Sequence, residues 1–147
     1  MVVQSPLGPL TLSATEAALT GVTFGDRLDG ADASSPVLEQ AARELEEYFA
    51  GERRVFTVPL APEGTAFQKQ VWDELRKIPY GETVSYKDIA VRLGKPGAAV
   101  AVGQANSKNP IPIIIPCHRV IGTNGKMVGY AGGMHIKKAL LAVEGRL

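Results

Sequence analysis

Between Pro59 and Gly64 the chain carries two prolines in six residues, and on either side of that stretch both the hydrophobic period and the sign of the charge change. Proline fixes φ and donates no backbone hydrogen bond, so neither a helix nor a central strand runs through such a stretch. It reads as a linker (59–64) between an N-terminal part (1–58) and a C-terminal part (65–147). A chain of 147 residues has room for one core of ordinary size or two small ones. Residues 1–65 hold four basic and ten acidic groups, a balance of −6; residues 66–147 hold twelve basic and five acidic groups, a balance of +7. The overall charge of +1 hides this split, which points the C-terminal part alone toward a polyanion.

The N-terminal part begins with short β-type runs, Val2–Gln4, Leu10–Ser13 and Leu19–Phe24, separated by turn residues such as Pro6-Leu7-Gly8-Pro9. They predict a small antiparallel meander. Ser35-Pro36 has the form of an N-cap followed by proline at the first helical position. Val37, Leu38, Ala41, Leu45, Tyr48 and Phe49 then recur on one helical face until Gly51. Val55–Val58 reads as one more strand. The C-terminal part reads as helical. Thr65 and Gln68 form a capping box ahead of the stripe Phe67, Val71, Trp72, Leu75 and Ile78. A helix from Ser85 to Gly94 and another after Pro96, joined by a tight glycine turn, have the form of a helix-turn-helix. The fold class expected is α+β, with a small N-terminal sheet, one helix, and a helical, winged-helix-like C-terminal domain.

Other classes drop out. No apolar run approaches the ~20 residues of a membrane span, and the opening residues lack the form of a secretory signal. A cytoplasmic protein is expected. A single cysteine forms no internal disulfide, and with two histidines it supplies three Cys/His ligands against the usual four of a zinc site. Neither metal nor cofactor is expected.

The chemistry concentrates in Asn109–Gly122, where Cys117 stands between Pro116 and His118, with Arg119 next. A lone cysteine is often just a small buried hydrophobe. As a nucleophile it needs a base or positive surroundings, since a free thiol with pKa ~8.5 is only a few per cent thiolate at neutral pH. His118 is adjacent, and Glu144 lies near the end of a later helix. A carboxylate holding an imidazole that deprotonates a thiol follows the logic of a catalytic triad. Taken alone, Glu144 is equally a solvated acid, Asn109 before Pro110 a turn former, Tyr86 and Tyr130 half-buried aromatics, and His135 a surface residue. The residues by themselves indicate Cys/His catalysis on an unspecified substrate.

The run Pro116-Cys117-His118-Arg119-Val120 resembles the active-site signature of the O6-alkylguanine–DNA alkyltransferases. Gly64–Gln68, Val71-Trp72, Ile78–Thr83, Ser85-Tyr86, Ala101–Gly103, Ala105-Asn106, Asn109-Pro110, Gly129–Gly133 and Leu140-Leu141 are similar to further blocks of that family, in order and spacing, as is Ser5–Gly8 near the start. The resemblance implies single-use repair: an irreversible transfer of methyl or benzyl from O6 of guanine, or O4 of thymine, to Cys117. It implies His118 as base through a water, Glu144 orienting it, Asn109 holding the turn, and Tyr86 donating to the guanine ring. It places Val120, Tyr130, Ala131 and Gly132 in the guanine pocket. Tyr86, Lys87, Lys95, Val100, Arg119 and Thr123 fall where DNA would lie. Its partners would be double-stranded DNA containing O6-alkylguanine and free O6-benzylguanine-type compounds, acting on a monomer.

One departure stands out. The family block usually reads Ala-Arg-Ala-Val-Gly, whereas Ala99-Val100-Ala101-Val102-Gly103 has valine in place of the arginine that fills the space left by the flipped base. Weakened DNA binding is therefore expected. Two further readings are a non-catalytic binder of alkylated DNA, whose relatives lack the cysteine, and a helix-turn-helix transcription regulator.

Overall fold

The structure, a computed structural model, describes residues 1–25, 34–122 and 133–145. The chain divides into two compact units, Met1–Glu63 and Gly64–Leu147.

In the first unit, β1 (Val2–Val3), β2 (Leu10–Ala14) and β3 (Leu19–Phe24) form an antiparallel sheet in the order β1-β2-β3. Leu12 faces Val22 across β2 and β3, and both point inward with Leu10 and Leu19. Helix α1 (Pro36–Phe49) starts as the sequence predicts: the Ser35 hydroxyl accepts from Leu38 N–H, and Pro36 opens the first turn. Its buried face, Leu38, Ala41, Leu45 and Tyr48, covers the sheet. The strand expected at Val55–Val58 does not form. The backbone N–H groups of Thr57 and Val58 donate instead to the Glu44 carboxylate, at 2.9 and 3.1 Å, so a side chain takes the place of a neighbouring strand. Beyond it Leu60 makes an isolated parallel bridge to Leu19.

The second unit contains α2 (Ala66–Leu75), β4 (Val84–Ser85), α3 (Tyr86–Arg92), α4 (Ala99–Ser107), β5 (Val120–Ile121) and α5 (Met134–Val143). Two capping boxes set its helix starts. Thr65 and Gln68 exchange hydrogen bonds ahead of α2, and Ser85 and Asp88 do so ahead of α3. Helices α2, α3 and α4 pack on one another, with Trp72 at the centre, 1 % exposed, its indole N–H donating to the Ala105 carbonyl at 2.9 Å. Gly64 is required by this packing: a Cβ there would lie 2.5 Å from the Trp72 ring. The parallel pair β4-β5 is a feature the helical reading of this half omitted. It joins Val84 to Val120 and Ser85 to Ile121, so the start of α3 is fastened beside the segment that carries Cys117.

Candidate active site

The path to Cys117 is set by two three-residue turns. Ile114 N–H donates to the Pro112 carbonyl at 2.9 Å around Ile113, whose φ is +75°. A β-branched residue there is strained, at a cost of about 1–3 kcal/mol, and persists only when its surroundings over-determine it. Cys117 N–H then donates to the Ile115 carbonyl at 2.7 Å around Pro116, at φ −80° and ψ 64°, the ordinary geometry of an inverse γ-turn. Asn109 clamps both ends of this path. Its amide donates to the Ile115 carbonyl and accepts from Ile111 N–H, each at 2.9 Å. Cys117, His118 and Arg119 follow as one 3₁₀ turn, all buried.

His118 is fully buried, and its Nε2 lies 2.7 Å from Glu144 Oε2. A carboxylate only accepts, so Nε2 carries the proton and Nδ1 presents a lone pair. Nδ1 is buried and has no hydrogen-bond partner among the described residues. Burial pushes the imidazole below its ordinary pKa; Glu144 opposes this, while Arg119 and Lys137 add to it. The ring is thus a neutral base at neutral pH.

Glu144 caps the C-terminal end of α5 and is not a solvated acid: it is 6 % exposed and receives four donors. Besides His118 these are Arg119 Nε at 2.8 Å, Arg119 Nη2 at 3.0 Å and Gly81 N–H at 3.1 Å. Gly81, at φ +80°, provides the turn that brings its N–H to the carboxylate.

Arg119 departs from expectation. Placed by the sequence among the DNA contacts, it is 6 % exposed, with its guanidinium held by Glu144 and by the Ile78 carbonyl at 2.7 Å. It braces the carboxylate. Val120 is also buried, and its carbonyl accepts from Lys137 Nζ at 2.6 Å, so one of its two lone pairs is already used.

Lys137 was missed at the sequence level. It is completely buried on α5, and burial lowers its pKa to about 8, while the Cys117 thiolate pulls the other way. That attraction is reciprocal, so the ammonium favours the thiolate. The available signal was a lysine next to Ile136 and four residues before Leu141, on the apolar stripe of α5.

Tyr86, at the first position of α3, is half-buried with its ring over Gly103 of α4. Its phenol is raised above its ordinary pKa by burial and then by the Cys117 charge, so it stays protonated and able to donate. Lys87, Lys95, Lys108 and Val100 are exposed, Val100 at 77 %. Lys95 also lies over the Phe67 ring, 5.1 Å from its centroid. No basic side chain lies on α4 itself. Thr123, Tyr130, Ala131 and Gly132 lie outside the described residues.

Cys117, His118, Glu144, Asn109 and Tyr86 are thus brought together around one buried sulfur, an arrangement suited to a thiolate nucleophile with a neutral base and a phenolic donor. Known proteins resemble this chain. Residues 66–146 match the family described as 6-O-methylguanine DNA methyltransferase, DNA binding domain, and residues 1–62 match its ribonuclease-like domain. A methylated-DNA–protein-cysteine methyltransferase of Methanosarcina acetivorans is 51 % identical, over 97 % of this chain and 95 % of its own length. The crystal structure of Mycobacterium tuberculosis OGT in complex with DNA superposes with a TM-score of 0.89 at 48 % identity, covering 97 % of this chain and 90 % of that one. S. pombe Atl1, in complex with damaged DNA containing O6-carboxymethylguanine, is similar at 34 % identity and a TM-score of 0.50, over 56 % of this chain and 79 % of its own. With both of its units matched, the chain belongs to the 6-O-methylguanine DNA methyltransferase family.

Proposed function

We propose that this chain repairs DNA by moving an alkyl group from O6 of guanine onto its own Cys117, once per molecule. The observation that carries this reading is the buried row Glu144, His118, Cys117, in which the carboxylate fixes the proton on Nε2 and leaves Nδ1 to act as base. The thiol proton passes toward Nδ1, through a water where the two are not in direct reach. The S–C bond forms as the O6–C bond breaks, in line, and guanine leaves with the electron pair. Tyr86 donates to the ring as that charge builds, which favours the transition state over the bound substrate. Lys137 steadies the sulfur's charge before attack. A thioether is a poor leaving group, so the product is final.

A sulfur this buried cannot reach a base inside a duplex, so the nucleotide has to leave the stack, at a cost of a few kcal/mol. The Mycobacterium tuberculosis relative was solved on DNA, which supports double-stranded DNA as partner here. Among the described residues no helix is long and apolar enough to cross a membrane. We place the protein in the cytoplasm, acting as a monomer. Presence of Cys117 favours transfer over the non-catalytic binding reading.

Intact mass after incubation with O6-benzylguanine tests the proposal. The expected result is a gain of one benzyl group, absent in Cys117→Ala; an unchanged mass with and without alkylated DNA would reject transfer.

The DNA-facing side carries a second expectation. Val100 projects from α4 into solvent where an arginine would contribute charge and hydrogen bonds. Val100→Arg should tighten binding to alkylated duplex roughly tenfold, equivalent to ~1.4 kcal/mol, and steepen its salt dependence by about 0.9 for one added phosphate contact. Fluorescence anisotropy at several salt concentrations reads both, and an unchanged slope would show that position 100 does not face the backbone.

A further inference from the structure

Asn106 is assigned no part in the chemistry described so far, yet it is 2 % exposed and sits on α4 between the two groups that matter most. Its Nδ2 donates to the carbonyl of Cys117 at 3.3 Å. A side-chain hydrogen bond also links it to Tyr86, where it opposes the upward push of burial and of the Cys117 charge on the phenol. Because Asn106 Oδ1 has no hydrogen-bond partner among the described residues, Tyr86 included, this bond runs through Nδ2, which only donates. The remaining atom, Oδ1, is buried without a hydrogen-bond partner among the described residues. Leaving an amide oxygen in that state costs about 1–3 kcal/mol, and an apolar side chain of similar size would avoid the cost. The amide is therefore kept for its donors, which point at the acid and at the backbone of the nucleophile. Three residues earlier on the same helix face, Gly103 lies under the Tyr86 ring, so α4 supports both the ring and the hydroxyl.

We propose that Asn106 is a positioning residue that holds the Tyr86 hydroxyl toward the departing guanine and ties it to the Cys117 carbonyl, so that acid and nucleophile keep a fixed separation. The inference rests on the donor role proposed for Tyr86. A phenol that gives up hydrogen-bond density to the leaving ring gains from a donor behind its own oxygen, and Asn106 supplies one without adding charge beside the thiolate.

The test is a double-mutant cycle read with two electrophiles. Asn106→Leu, which keeps the shape and removes both N–H donors, should slow transfer from O6-benzylguanine about tenfold, a fraction of the 10²–10⁴ typical of positioned acid–base groups. Iodoacetamide alkylates Cys117 without any ring to protonate, so its rate should fall far less, leaving a roughly tenfold difference between the two reagents. In a Tyr86→Phe background the added Asn106→Leu change should alter benzyl transfer less than about twofold, because coupled residues are not additive. Asn106→Ala, which also removes both N–H donors and adds no charge, carries the same expectation if the leucine variant does not fold. Equal losses with both reagents, or an undiminished Asn106 effect in Tyr86→Phe, would overturn the proposal. A Tyr86→Phe chain that transfers benzyl at full rate would overturn it together with the donor role of Tyr86. A wild-type chain that accepts no benzyl group would show that transfer itself is misassigned.

Discussion

Glu144→Ala is expected to lower stability by about 3–5 kcal/mol and to slow alkyl transfer by two orders of magnitude or more. The stability loss follows from what the carboxylate leaves behind. Among the described residues the buried Arg119 then keeps the Ile78 carbonyl and the face of the Tyr80 ring, and removing one partner of a buried ion pair leaves an uncompensated charge in a poorly solvated place. Gly81 N–H also loses its acceptor. The kinetic loss has a separate origin. Without Glu144 nothing fixes the His118 proton on Nε2, and the tautomer with Nδ1–H has no lone pair to offer the thiol. Glu144→Gln keeps the volume but turns an N–H toward the Arg119 donors, so it should fall between wild type and alanine. Urea midpoints and single-turnover rates with O6-benzylguanine separate the two effects; a Glu144→Ala chain of wild-type stability would show that the buried pair is not formed in solution. The same site predicts an acid limit. His118 titrates below its ordinary value of 6.5 because it is buried, so the unfolded chain takes up this proton first. Its contribution to stability is complete above about 6.5 and is lost as the pH falls below it.

Glu44→Ala, in the first unit, should cost about 2–4 kcal/mol without touching the chemistry of Cys117. Glu44 is 1 % exposed and accepts from Thr57 N–H, Val58 N–H, the Thr57 hydroxyl and Gln40. Alanine strands Val58 N–H in a buried place, at about 1–3 kcal/mol, and removes the acceptor of Thr57 N–H on an exposed residue together with the two side-chain bonds. Burial pushes the carboxyl pKa up, but the four hydrogen bonds together outweigh it and hold the group below 4.5. Its stabilisation is therefore present above that value and lost as the pH falls through the lower, folded one. Thermal melts from neutral to acid pH, compared between wild type and Glu44→Ala, should show the acid dependence flatten in the variant. An unchanged melting temperature would mean that another group binds the 57–58 backbone.

Residues that act on their own sequence neighbours were the legible ones. Ser35, Thr65 and Ser85 cap their helices because a hydroxyl three residues from an N–H is a local fact, and the chain states it outright. The meander was readable from alternation, and Cys117-His118 from adjacency. What escaped depends on residues far apart. Val55–Val58 has strand-like composition, yet its N–H groups are claimed by a carboxylate thirteen and fourteen positions earlier. Arg119 looks like a DNA contact until Ile78, forty-one positions before it, and Glu144, twenty-five after, are seen to hold it. Two-residue strands such as β4 and β5 are too short to show a period. Asn106 stands in a family-like block, but the block does not show its part, which depends on two partners on other elements.

The paired tight turns ahead of Cys117 have one more implication, which concerns chain length. From Asn109 to the nucleophile the bends are closed by backbone bonds within three to five residues or pinned by the asparagine amide, so no slack remains to absorb an extra peptide unit. An insertion there would advance the sulfur by up to ~3.3 Å, whereas a shift of about 1 Å can already cost a hundredfold in rate. Designers wishing to graft a peptide or widen the cleft should leave the spacing of these nine residues alone and work on surface loops, where indels are absorbed by solvent.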